Sequence, residues 1–99
     1  MGKREVIKKL RQYKLLISKH FDVDKVILFG SYANGNQQPA SDIDVAIVVN
    51  SIDCDFFTYA PLLWKLRQEV DDRIEPVLLV NGLDESGFLE GILQSGVYI

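Results

Sequence analysis

The stretch over residues 28–49, LFGSYANGNQQPASDIDVAIVV, decides the fold. It has three parts: a Gly-Ser pair closing an apolar run, a polar loop, and two aspartates opening a second apolar run. Asp42 and Asp44 stand two residues apart. Side chains alternate along a strand, so both carboxylates leave the same face, roughly 7 Å apart at Cα. Two carboxylates on one face at the start of a strand suit shared divalent ions. Mg²⁺ takes oxygen ligands and completes its shell with water and substrate phosphates. That inventory is the one used in metal-dependent phosphoryl or nucleotidyl transfer.

Gly30-Ser31 supplies the complementary half. Glycine lets a polyphosphate approach the backbone closely. Ser31 offers a hydroxyl, and a short helix beginning at Tyr32 would add N–H groups at a helix N-terminus, which favour an anion. The spacing is not that of a P-loop, because no G-x-x-x-x-G-K-[ST] occurs. Nor do the glycines fall as the G-x-G-x-x-G of a dinucleotide-binding turn.

Working outward, residues 25–30 (KVILFG) read as a short buried strand after a turn at 21–24. One helical turn at 32–35 follows, then a loop at 36–40 in which Pro39 ends any helix. Residues 43–49 are almost continuously apolar, the mark of a strand covered on both faces and central in its sheet. Residues 3–19 form an amphipathic helix. Val6, Leu10, Tyr13 and Ile17 make its apolar stripe, and Lys3, Arg4, Lys8, Lys9, Arg11 and Lys14 cover the other face. Those cations read as a solvated face or as a docking face for an acidic partner. Beyond a polar connection at 50–55, with Asp53 or Asp55 as a cap, Tyr59, Leu62, Leu63, Leu66 and Val70 mark a helix that stops near Asp71-Asp72. Pro61 is expected in its first turn, Trp64 partly exposed, and Asp71 and Asp72 solvated.

Residues 74–80 (IEPVLLV) form a third strand in which Glu75, Val77 and Leu79 share a face. Pro76 lacks an N–H, so this strand belongs at an edge or its first residues lie outside the ladder. An acid opening such an apolar run needs a partner, since a buried unpaired carboxylate is costly. A metal ion is one candidate, and an ion pair with Arg73 is the other. A last helix over 86–95 turns Phe88, Leu89, Ile92 and Leu93 to the core, with Gly96 as its C′ residue. The order is αβαβαβα, an α/β (α+β) chain with a mixed sheet and flanking helices. For Gly30-Ser31, Asp42, Asp44 and Glu75 to meet, the first strand must run antiparallel to the second, and the second parallel to the third. The helix after residue 55 is long enough for that parallel crossover.

GSYANG followed by SDIDVAIVV resembles the signature of the DNA polymerase β-like nucleotidyltransferase superfamily. The short length resembles its minimal nucleotidyltransferase (MNT) branch, including the MntA-type antitoxins paired with HEPN-domain toxins. The resemblance implies one minimal nucleotidyltransferase domain over residues 1–99. It implies Asp42, Asp44 and Glu75 as metal-binding and catalytic carboxylates, and Gly30, Ser31 and Ser41 around the nucleotide. It implies two Mg²⁺ ions, with Mn²⁺ an alternative, ATP as substrate, and AMP transfer to a hydroxyl, a tyrosine of a HEPN partner. Asn34 stands where the superfamily often has Arg or Lys, and Glu75 stands where Asp is more usual. The rival reading is a weak or inactive module of the same fold that inhibits or completes a partner by binding.

Composition agrees with an ordinary globular domain. The 99 residues are 47% hydrophobic and 25% charged, with net charge −3, which argues against bulk nucleic-acid or membrane affinity. No apolar stretch has membrane-span length, and residues 1–3 lead into a charged helix, unlike a signal peptide. Cys54 is the only cysteine, so no intrachain disulfide or cysteine-based zinc site forms, in keeping with the cytoplasm. One histidine, His20, builds no His-rich metal site. A homo-oligomer remains open.

Overall fold

In the computed structural model, β2 (Ile43–Val49) lies between β1 (Val23–Phe29) and β3 (Ile74–Val80), and β4 (Val97–Tyr98) flanks β1. The structure describes residues 2–20, 22–37, 41–50, 56–82 and 87–99, with 56–59 described by their backbone. β1 runs antiparallel to β2, and β2 runs parallel to β3. The helices are α1 (Lys3–Ile17), α2 (Ser31–Asn34), α3 (Phe56–Leu66), which continues into a 3₁₀ turn at Arg67–Glu69, and α4 (Phe88–Ser95). The mixed sheet, its strand directions and the edge position of Pro76 are as expected.

The sheet has two cores because its strands alternate. Val26 and Leu28 of β1 and Val45 and Ile47 of β2 face α1, α2 and α3, where they pack with Val6, Leu10, Tyr13, Ile17, Tyr32, Leu63 and Leu66. Ile27, Ala46 and Val48 face the other way, against Leu89 and Ile92 of α4. Tyr13 joins two helices. It is fully buried, and its hydroxyl donates to the Leu63 carbonyl at 2.7 Å. Burial pushes its phenol pKa up, which keeps the donor protonated.

Several expectations needed correction. β1 begins at Val23, two residues into the expected turn, because Val23 pairs with Val49 across a register shift. β4 was not foreseen. Two residues carry no readable period, and the strand exists because Ile27 and Leu28 offer an open edge. Gly96 is extended, at φ −81°, rather than left-handed. It is glycine for space: a Cβ there would run into Ile27 and the Ile92 carbonyl. Pro61 is the sixth residue of α3, in its second turn, so the helix forgoes the bond to the carbonyl of residue 57. Trp64 is partly exposed as expected, with the Arg67 guanidinium 4.5 Å from its ring centroid.

Asp71 is not solvated. Its carboxylate accepts from Lys9 of α1 at 2.7 Å, from the Arg73 backbone N–H at 2.9 Å and from the Arg73 guanidinium at 3.1 Å. Those bonds overcome the burial penalty and hold its pKa down at about 2. Phe88 is 44% exposed rather than turned to the core. The caps at Asp53 and Asp55, Pro39, Cys54 and the side chain of Tyr59 lie outside the described residues.

Candidate active site

Strand register builds the site. Asp44 is the second residue of β2. Its direct neighbours are Phe29 on β1 and Glu75 on β3. Because side chains alternate, Asp44 and Glu75 share the face of Ala46 and Val48, the face covered by α4. Asp42 lies two residues before Asp44, is exposed, and adds its charge to the same corner. The structure therefore brings Asp42, Asp44 and Glu75 together at one end of the sheet.

Their electrostatics show how close they are. Burial and then the Asp42 charge raise the Asp44 carboxyl above its ordinary range, while a hydrogen bond with Glu75 works in the opposite direction. Glu75 is raised by burial, by the charges of Asp42 and Asp44, and by hydrogen bonds with both. The rival ion pair between Glu75 and Arg73 is not what dominates here. The charges acting on Glu75 are those of the two aspartates, while Arg73 reaches Asp71.

Gly30 closes the corner from the β1 side. It sits at φ +76°, a conformation that other residues seldom adopt, immediately before α2. A Cβ at this position would collide with the Asp44 carboxylate, its Cγ only 3.2 Å away. The Gly-Ser turn and the first acid of β2 are thus in direct contact. Ser31 opens α2 and is half-buried, as is Ser41 just before Asp42. First-turn N–H groups of a helix have no partner within it, so they are open to an anion. With four residues, α2 contributes little dipole. It also carries no basic residue in its last turn, and exposed Asn34 adds no charge. A cation reaches this turn from α1, where Lys3 Nζ donates to the Ala33 carbonyl at 3.5 Å.

Among the described residues, no group of three or more His, Cys, Asp or Glu side chains is arranged so that it could hold a metal ion. The donor chemistry nonetheless fits a hard divalent ion. All three side chains offer carboxylate oxygens, and their mutual repulsion is what a dication relieves. Sequence reasoning missed one component, the aromatic pair beside the acids. Phe29 and Phe88 meet edge to face, with centroids 5.8 Å apart and planes at 89°. The signal was present: Phe29 directly precedes Gly30 and points to the face opposite Leu28.

The family model described as Polymerase beta, Nucleotidyltransferase matches residues 11–99. The chain belongs to this nucleotidyltransferase family. Among curated relatives, "Putative protein adenylyltransferase MJ0604" of Methanocaldococcus jannaschii is 33% identical over 76 residues, 75% of either chain. "Putative protein adenylyltransferase MJ0141" of the same organism is 42% identical over 50 residues, 48% of this chain and 50% of that protein. The nucleotidyltransferase domain thus spans about half the length of MJ0141 that it matches, and the same holds for MJ1215, at 50%. Two solved structures share the fold. A "putative nucleotidyltransferase from Sulfolobus solfataricus" superposes with a TM-score of 0.68 at 18% identity, covering 97% of this chain and 80% of that one. A structure described as "the toxin-antitoxin with AMP-PNP" gives 0.59 at 24% identity, covering 99% and 72%.

Proposed function

We propose that this nucleotidyltransferase domain moves AMP from ATP to a hydroxyl, and that the acceptor is a tyrosine on a partner protein, a HEPN-type toxin, in the cytoplasm. The observation that carries the reading is the contact of Gly30 with Asp44, with Glu75 beside Asp44 in the ladder. It supports a phosphate site at Gly30 beside a cation site at the acids. The relatives named as protein adenylyltransferases support a protein acceptor and ATP. The toxin–antitoxin neighbour crystallised with AMP-PNP, an analogue of ATP, supports a protein partner and an adenine nucleotide.

Each residue then has a task. Gly30 and the Ser31 N–H and hydroxyl hold the triphosphate, and Ser41 lines the approach to Asp42. Asp42, Asp44 and Glu75 would hold two Mg²⁺ or Mn²⁺ ions. Such ions, when bound, neutralise the triphosphate and stabilise the attacking and leaving oxygens of an in-line displacement. The acceptor oxygen bonds to the α-phosphorus, the bond from that phosphorus to the bridging oxygen breaks, and pyrophosphate leaves with the electron pair. The hydroxyl proton passes to the carboxylate cluster.

The test is the intact mass of the neighbouring partner after incubation with this chain, ATP and Mg²⁺. A gain of one or more AMP groups, lost with Asp42→Asn, is the expected result. A tight complex with no gain in mass, unchanged by Asp42→Asn, would replace catalysis with inhibition by binding.

A further inference from the structure

Phe88 is a large apolar side chain, 44% exposed, on a helix whose neighbouring residues Leu89 and Ile92 are buried. Its exposure is not a matter of a loose position, because its ring meets the edge or face of Phe29 at 5.8 Å and 89°. Phe29 pairs directly with Asp44 and precedes Gly30. Phe29 packs with the α4-side core, on the same face as Asp44 and Glu75. The exposed ring is therefore continuous with the acidic corner: Phe88 on Phe29, Phe29 beside Asp44, Asp44 beside Glu75. A nucleoside triphosphate bound by its phosphates at that corner has one remaining group to place, a flat apolar base. Aromatic side chains stack bases, and they do so without reading hydrogen-bonding edges.

We propose that Phe88, braced by Phe29, is the platform on which the nucleobase of the bound triphosphate stacks. This rests on the reading of the acidic corner as a nucleotide site. The platform favours purines over pyrimidines for their larger faces, with little discrimination between ATP and GTP.

The test is equilibrium binding to the whole chain in Mg²⁺, comparing ATP, GTP, CTP and inorganic tripolyphosphate, for the wild type and for Phe88→Ala, Phe88→Leu and Phe88→Trp. Stacking of one base corresponds to about a tenfold change in affinity. Phe88→Ala is expected to weaken ATP and GTP about tenfold while leaving tripolyphosphate unchanged, and Phe88→Trp is expected to keep ATP affinity. Phe88→Leu retains apolar volume against Phe29 without a π-face, so it should show the same base-specific loss even where the alanine variant does not fold. Equal weakening of ATP and tripolyphosphate would make Phe88 a scaffold residue and overturn the platform. So would unchanged ATP affinity in both Phe88→Ala and Phe88→Leu, or a wild type that binds ATP no better than tripolyphosphate. A wild type that binds no triphosphate at all would overturn the functional reading, and the platform with it.

Discussion

Gly30 is the residue on which the site turns, for two independent reasons. Its φ of +76° strains any side-chain-bearing residue, and the Asp44 carboxylate occupies the space a Cβ would take. The Gly30 backbone, at φ 76° and ψ −150°, lies in a region essentially reserved for glycine, where a non-glycine residue is held at a cost of about 1–3 kcal/mol. Gly30→Ala is therefore expected to lose about 2 kcal/mol of stability in urea unfolding. It should also lose on the order of a hundredfold in transfer rate, because Asp44 must move. Near-normal transfer by that variant would show that the contact is dispensable. Asp44 itself makes the opposite trade. Burial and the Asp42 charge disfavour its ionised form. Asp44→Asn is expected to raise the Tm in the presence of a chelator while abolishing transfer. A lower Tm would mean that the carboxylate contributes to folding. The D-x-D spacing made both aspartates legible in the sequence. The meeting of Asp44 with Gly30 was not legible, because it depends on the β1–β2 register.

At the scale of elements, Asp71 is the tie that sequence spacing misread. Adjacent Asp71 and Asp72 at a helix end look alike in one dimension. Only the packing of α1 against the end of α3 brings Lys9 to Asp71, across 62 positions of chain. The Asp71 side chain is 8% exposed, against 28% for Lys9 and 34% for Arg73. Its pKa is depressed from 3.8 to about 2, so its contribution is fully present above the unfolded value. That contribution is lost as pH falls from about 4 through about 2. Allowing for screening of the partly exposed partners, it is about 1–2 kcal/mol at neutral pH. Asp71→Asn should cost that amount at pH 7 and almost nothing at pH 2, as measured by parallel urea melts. An equal cost at both pH values would assign the effect to packing. The apolar stripe of α1 was readable because its period is local, whereas β4 and the exposure of Phe88 were not, since both are set by what lies beside them.

For the molecule as a whole, charge is divided: eight of the eleven Lys and Arg lie in the first 25 residues, while the acidic trio sits at the end of the sheet. Among the described residues, no helix is long and apolar enough to cross a membrane. A ligand that binds only the folded chain stabilises it, by about 2.7 kcal/mol at one hundred times its dissociation constant. ATP with Mg²⁺ should therefore raise the Tm of the wild type, and Asp42→Asn should remove the shift. A shift retained by that variant would place the nucleotide elsewhere. The sequence by itself determined the family motif, the strand and helix order apart from β4, and which residue types could meet phosphate and metal. These follow from local period, glycine and charge spacing, which act along the chain. Only the tertiary structure decided that the acids share the α4 face, that Gly30 touches Asp44, that Asp71 is tied to Lys9, and that Phe88 is 44% exposed and packed on Phe29. Those facts depend on register and packing between segments distant in sequence, and no local pattern encodes which neighbour a side chain will meet.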